Sequence, residues 1–384
     1  EHFMTSADRP ATRLATRLSF LVAGFGISCW APLVPFAKAR LHIDAAMLGV
    51  LLLCIGIGSI AAMLATGPLS ARYGGKPVIV TSGIALAVIL PLLTVAATPL
   101  ALGGALLLFG AALGSLDVAM NVHAVEVERA ADRPLMSGFH ALFSIGGFAG
   151  AGLMTIFLSL KVSALAGSLV CAGIMLAAML VAWPRLLPAM QGEDGPLFVR
   201  PHGVVVLLAV LAMATFLAEG AMLDWSALLI TQMGLVGATQ GGLGYILFAI
   251  AMTGGRLLGD WLTARLGDYR TLLGGGLVAV AGFVVLLSVP VAPVALAGFL
   301  LIGLGASNIV PVLFRLAGAQ THMPPALAIG AITTLGYAGI LAGPAAIGLV
   351  AEGVGLRAAF WMLAVLLLLV PFTARRTARV AHSA

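Results

Sequence analysis

The chain has 384 residues, 61% of them hydrophobic and 9% charged, with a mean hydropathy of +1.13 and a formal net charge of +6. A soluble domain carries about 25% charged residues, so a fully water-exposed surface is excluded and a polytopic membrane protein is indicated. The basic excess contains no run interleaved with aromatics and none long enough to track a phosphate backbone, which excludes nucleic acid as a partner.

A spanning helix needs about 20 mostly apolar residues. Twelve such stretches are predicted, near 14–37, 45–70, 77–97, 99–128, 134–160, 163–184, 203–232, 240–264, 271–290, 293–320, 325–352 and 357–374. A β-barrel would alternate polar and apolar residues over strands of about 10; the run 101–116 does not alternate. The first apolar stretch is of full length, which argues against a cleaved signal peptide. Glu1-His2-Phe3 ahead of Met4 reads as a cloning remnant.

The chain is written twice. Ala71-Arg72-Tyr73-Gly74 returns as Ala264-Arg265-Leu266-Gly267, 193 positions later. Trp30 matches Trp225 and Leu48-Gly49 matches Leu243-Gly244 at an offset of 195, and Gly138 and Gly147 match Gly330 and Gly339 at 192. An offset that holds through helices and drifts only at loops marks a true repeat. Each copy holds six helices, an even number, so the halves are parallel repeats about an axis along the membrane normal. The expected fold is all-α: a tail 1–13, a six-helix bundle 14–184, a linker 185–202 rich in Pro with Glu193-Asp194, a second bundle 203–374, and a tail 375–384.

Lys and Arg near helix ends are retained in the cytoplasm. With both termini inside, 14 of the 20 basic residues fall on the cytoplasmic side and only Lys38, Arg40, Lys161 and Arg357 on the other; Arg256 and Arg315 fall within spans. The expected location is therefore the cytoplasmic membrane, multi-pass, with the lipid bilayer as constant partner. Cys29, Cys54 and Cys171 occupy three different spans without CxxC spacing and read as packing residues.

Twelve helices as six plus six, with Gly67-Pro-Leu-Ser-Ala-Arg72-Tyr-Gly74-Gly-Lys76 between the second and third, resemble the major facilitator superfamily and its G-x-x-x-D-R-x-G-[RK]-[RK] signature. Ala71 stands where that family usually has Asp, so the gate salt bridge of that carboxylate is missing. A narrower resemblance is to the fucose-permease-like branch of proton-coupled sugar symporters. It rests on Gly110-Ala-Ala-Leu-Gly114-Ser-Leu-Asp117-Val-Ala-Met-Asn121 and on Gly255-Arg256-Leu-Leu-Gly259-Asp260-Trp261-Leu262 with Arg265. The branch's Asn-Asp pair in the first helix is replaced here by Ile27-Ser28-Cys29-Trp30. The resemblance implies gating roles for Arg72, Lys76, Arg256, Asp260 and Arg265.

Charges inside spans are costly and rarely face lipid, so they point to function. Asp117 and Asn121 are one turn apart on one face. They read as a proton-binding carboxyl beside a substrate-binding amide, or as a structural hydrogen-bonding pair. Glu219 and Asp224 are about 140° apart on one helix, and Glu219 shares its stripe with Thr215, Met222 and Ser226. Glu219 is taken as the cavity residue, for proton coupling and substrate, and Asp224 as rim or cap. Trp30 and Trp225 read either as aromatics stacking on a solute or as interfacial anchors. His123 and His140 read as a proton shuttle or as interhelical hydrogen-bond donors, with His140 also a substrate candidate. Arg256 and Asp260, four apart, read first as an internal salt bridge. Asn308-Ile-Val-Pro311 and Tyr337 read as polar lining with a proline kink.

No Walker A, H-E-x-x-H or G-x-S-x-G sequence occurs, so neither ATP-driven transport nor a membrane enzyme or receptor is favoured over a secondary transporter. The leading reading is alternating-access transport of a small polar solute, a sugar or similar, coupled to protons through Asp117. An exporter of metabolites or amphipathic drugs, or an uncoupled facilitator, is the alternative. No cofactor or metal is expected, and the chain is expected to act as a monomer.

Overall fold

The computed structural model describes residues 9–43, 45–187, 200–237 and 243–379, and every regular element among them is helical. The start of the N-terminal tail, most of the expected linker including Glu193-Asp194, and the last five residues lie outside the described residues.

The helices are α1 (Pro10–Trp30), α2 (Ala45–Tyr73), α3 (Gly75–Val95), α4 (Pro99–Ala131), α5 (Met136–Ser159), α6 (Ala164–Ala182) and α7 (Val204–Gln232). One run, Leu243–Ser288, is interrupted by non-helical backbone at Gly267; its arms, 243–266 and 268–288, are α8 and α9. Then come α10 (Ala292–Ala319), α11 (Pro325–Val354) and α12 (Leu356–Ala378). Eleven described helices are long and apolar enough to cross a membrane, and the division at Gly267 makes twelve.

Local chemistry sets the ends. Thr98 caps α4, its Oγ1 accepting from Ala101 N at 3.1 Å with Pro99 as first helical residue, and Ser163 caps α6 in the same way through Ala166 N. α1 stops at Trp30, earlier than the apolar run suggested, and a 3-10 turn Ala31–Leu33 and a short helix Val34–Leu41 follow. Pro32 in that turn has no N–H to continue the ladder. α12 runs past the expected end at 374 to Ala378.

The doubled Ala-Arg-x-Gly has one backbone form. Gly74 has φ 77° and ψ 165°, and Gly267 has φ 76° and ψ 167°. This region is open essentially to glycine alone, so each glycine breaks a helix and starts the next without a loop.

The chain divides into two compact units. The first comprises Glu1–Asp132, Phe139–Arg200 and Pro324–Gly330. In it α2 and α3 pack on α4, and α1 and α3 on α6, around Phe20, Phe109 and Phe139. The second comprises Arg133–Gly138, Pro201–Met323 and Ala331–Ala384. There α10 and α12 pack on the α8–α9 run and on α7, around Phe283, Phe299, Phe314 and Phe360. Two short segments depart from the sequence halves: 133–138 at the start of α5, and 324–330 at the start of α11.

Candidate functional site

In the first unit α4 carries the buried pair that its four-residue spacing suggested. Asn121 Nδ2 donates to the backbone oxygen of Asp117 at 2.8 Å and to its Oδ1 at 3.1 Å. Those two acceptors fix the amide orientation, because a flipped amide would set oxygen against oxygen. Asn121 Oδ1 is buried without a hydrogen-bond partner among the described residues. A carboxyl and an orphan acceptor thus sit side by side inside a spanning helix.

The two histidines go to different partners. Leu187 N donates to His123 Nε2 at 3.0 Å, so Nε2 is unprotonated and the proton resides on Nδ1. Nδ1 then donates to Thr16 Oγ1 at 3.2 Å, and Thr16 passes its own hydrogen to the Thr12 carbonyl at 2.9 Å. Both ring nitrogens are occupied in bonds that join α1, α4 and the segment that follows α6. His140 on α5 is buried with its ring edge-on to Phe20, centroids 5.2 Å apart. Trp30 is buried at the last position of α1, its indole N–H without a hydrogen-bond partner among the described residues. Cys29 and Cys171, expected as packing residues, are buried free thiols, and Cys29 Sγ donates to the Gly150 carbonyl at 3.6 Å.

Arg72 is exposed at the end of α2 with its guanidinium 5.5 Å from the Tyr73 ring, and Lys76 is half-buried in the first turn of α3. In the second unit Arg265 lies 4.4 Å over the exposed Trp261 ring, one turn earlier on α8. Such contacts on exposed surface are worth about 0.5–1 kcal/mol. Asp268, just past the Gly267 break, accepts from Arg315 of α10 at 2.5 Å. Spacing along the chain gave no sign of that pair.

The second unit's polar centre is built by α7, α8 and α10. Arg256 Nη2 lies 3.6 Å from Glu219 Oε1, an ion pair between helices that the i,i+4 pattern did not point to. Asp260 reaches the first turn of α5, its two oxygens accepting from Ser137 N at 2.9 Å and Gly138 N at 2.8 Å. α10 is interrupted at Ser307 and Asn308, one turn before Pro311. Pro311 has no N–H for the carbonyl four residues back. That carbonyl, of Ser307, accepts from Arg256 Nε at 3.4 Å. Asn308 Nδ2 donates to Gly255 O and Ser307 Oγ, both at 3.0 Å, tying the break to α8. The approach needs Gly259: a Cβ there would lie 1.7 Å from Asn308 Oδ1.

Around this centre, Tyr337 of α11 meets Phe216 of α7 edge-on at 6.4 Å. Trp225 is half-buried, its indole N–H also without a hydrogen-bond partner among the described residues. Thr215, Met222 and Ser226 on the Glu219 stripe are buried, whereas Asp224 is exposed.

Comparison with known proteins places this architecture. The family model described as Major Facilitator Superfamily matches residues 18–326. An uncharacterised MFS-type transporter of Yersinia pestis is 50% identical over 368 residues, 96% of either chain. Among solved structures, the E. coli fucose:proton symporter FucP is similar with a TM-score of 0.79 at 17% identity, over 97% of this chain and 99% of that one. The human organic anion transporter MFSD10 is similar with a TM-score of 0.75 at 17% identity, over 95% and 100%. Identities this low speak for the fold alone. The family model and the 50% identical relative together place the chain in the Major Facilitator Superfamily of membrane transporters.

Proposed function

We propose that the chain is a secondary active transporter that moves a small polar solute, a sugar or similar, across the cytoplasmic membrane by alternating access, coupled to protons through Asp117. The observation that carries this is the buried Asp117–Asn121 pair within a spanning helix. An ionised carboxylate removed from water is costly. Loading Asp117 with a proton then removes the charge that would oppose reorientation of the carrier.

Within the first unit Asn121 offers its unpartnered Oδ1 to a solute hydroxyl, and Trp30 and His140 are further proposed solute contacts; within the second unit the proposed solute contacts are Glu219, Trp225, Asn308 and Tyr337. Glu219 is the second carboxyl of the coupling scheme. Arg72, Lys76, Arg256, Asp260 and Arg265 serve the gate. Both termini face the cytoplasm, as the distribution of Lys and Arg favours. The similarity in fold to a fucose:proton symporter agrees with a sugar-sized solute.

The test uses proteoliposomes and the solute that most raises the melting temperature in a screen of sugars, polyols and sugar acids. Asp117→Asn should keep exchange of labelled against unlabelled solute and lose accumulation driven by a pH gradient. Accumulation at the wild-type level would overturn the coupling role.

A further inference from the structure

We infer that the end of α8 binds an anionic phospholipid, with Arg265 and Arg270 holding its phosphate and Trp261 packing beneath its glycerol. The inference goes beyond solute transport. It takes from the proposed orientation only which leaflet supplies the lipid, the cytoplasmic one.

Large apolar side chains line one side of α8. Ile246, Ile250, Leu257 and Leu258 are exposed at helical spacing, and Trp261 continues the row with 56% of its surface open. A contiguous apolar face of this kind on a spanning helix meets acyl chains. The arm 243–266 is about 36 Å long at about 1.5 Å per residue, slightly more than the roughly 30 Å of a hydrocarbon core. Its end at Gly267 therefore reaches the headgroups. Trp261 lies about 9 Å and Arg265 about 3 Å before that end along the axis, the level at which tryptophan and arginine meet lipid headgroups.

The cations at this end are uncommitted. Arg265 is exposed and sits 4.4 Å over the Trp261 ring, and none of its N–H donors has an acceptor among the described residues. Arg270, exposed in the first turn of α9, has no carboxylate or carbonyl partner among them either. The acid nearest along the chain, Asp268, is engaged by Arg315 of α10. A cation in the first turn of a helix is disfavoured by the helix dipole, so Arg270 gains nothing from its own helix and would gain from an anion.

The chemistry selects the partner. A guanidinium presents a planar fork that takes two oxygens of a phosphate through parallel N–H···O bonds. The apolar row continues directly below the arginines, where acyl chains attached to that phosphate would lie; a soluble phosphate makes no use of it. A zwitterionic lipid brings an ammonium or choline beside its phosphate, which a second arginine repels. An anionic phospholipid satisfies both arginines and the apolar row together.

The test reads Trp261 fluorescence, as wild type minus Trp261→Phe, for the full chain in vesicles of phosphatidylcholine and phosphatidylglycerol. One lipid or the other carries bromine on its acyl chains as quencher. A basic residue at a membrane surface strengthens anionic-lipid binding about fivefold. Brominated phosphatidylglycerol should therefore quench Trp261 at a mole fraction at least about fivefold lower than brominated phosphatidylcholine. Arg265→Gln and Arg270→Gln should each reduce that preference about fivefold, and the double variant should show none. Arg375→Gln removes an exposed cation at the end of α12 and should leave the preference unchanged, which separates a site from general attraction to a basic protein. Equal quenching by the two lipids, a preference that survives the double variant, or an equal loss in Arg375→Gln would overturn the inference. Relief of quenching by millimolar glycerol 3-phosphate would overturn lipid as the occupant. Should Arg265→Gln fail to fold, Arg270→Gln decides, since an unchanged preference there is also a refutation. Both leaflets of these vesicles have one composition, so the outcome is independent of which way the chain is inserted.

Discussion

Replacing Asp260 with Asn should loosen the start of α5. Ser137 N and Gly138 N are two of the four N–H groups that the first turn of α5 cannot satisfy itself, and the Asp260 carboxylate takes both, at 2.9 and 2.8 Å. Asn keeps one acceptor and turns the other oxygen into an NH2 group facing an N–H. One charge-assisted bond worth about 1.5–3 kcal/mol disappears, and the other falls to about 1 kcal/mol. The attraction between the negative charge and the helix N-terminus, about 0.3–1 kcal/mol, is lost as well. Together these amount to about 2–6 kcal/mol, so local opening should rise by at least about 30-fold. Hydrogen exchange of the Ser137 and Gly138 amides in nanodiscs reads this directly. Ala71→Asp, which restores the missing acid of the first copy, should leave these two amides within about threefold of wild type. Exchange in Asp260→Asn that also stays within about threefold of wild type would refute the capping role.

Gly267→Ala places a Cβ that meets nothing within 4 Å, so its whole cost is backbone strain, about 1–3 kcal/mol. Gly74→Ala, at nearly the same φ and ψ, should lower the melting temperature by a similar amount, and a loss confined to one copy would contradict their equivalence. Pro311→Ala returns an N–H within reach of the Ser307 carbonyl and should straighten α10, stabilising that helix by up to about 3 kcal/mol while weakening transport. Unchanged melting and unchanged uptake would count against Pro311 as the cause of the break. His123→Gln should cost about 1–2 kcal/mol in stability, because both ring nitrogens are bonded, and should leave the pH profile of uptake unshifted. A moved profile would reinstate His123 as a proton carrier.

What the sequence disclosed is what repeats or lies one helical turn apart. The doubled Ala-Arg-x-Gly gave the two-copy architecture, and Gly74 and Gly267 turn out to share one backbone conformation. Asp117 and Asn121 meet because residues four apart stack on a helix face. The same rule sets Arg256 and Asp260 on one face of α8, but it says nothing of the ion pair of Arg256 with Glu219 from another helix or of the N–H groups of α5 that Asp260 accepts from. Such contacts depend on which helices pack together, and no periodicity in one chain encodes that. Pro311 announced a kink but not its place, because a proline frees the carbonyl one turn upstream, here Ser307.

The central claim is tested most directly by following protons rather than solute. Proteoliposomes in weak buffer, with no gradient imposed, are given the solute from outside while a pH electrode reads the external medium. The account predicts external alkalinisation as protons enter with the solute, and its loss in Asp117→Asn. Entry of labelled solute with no change in pH would contradict it.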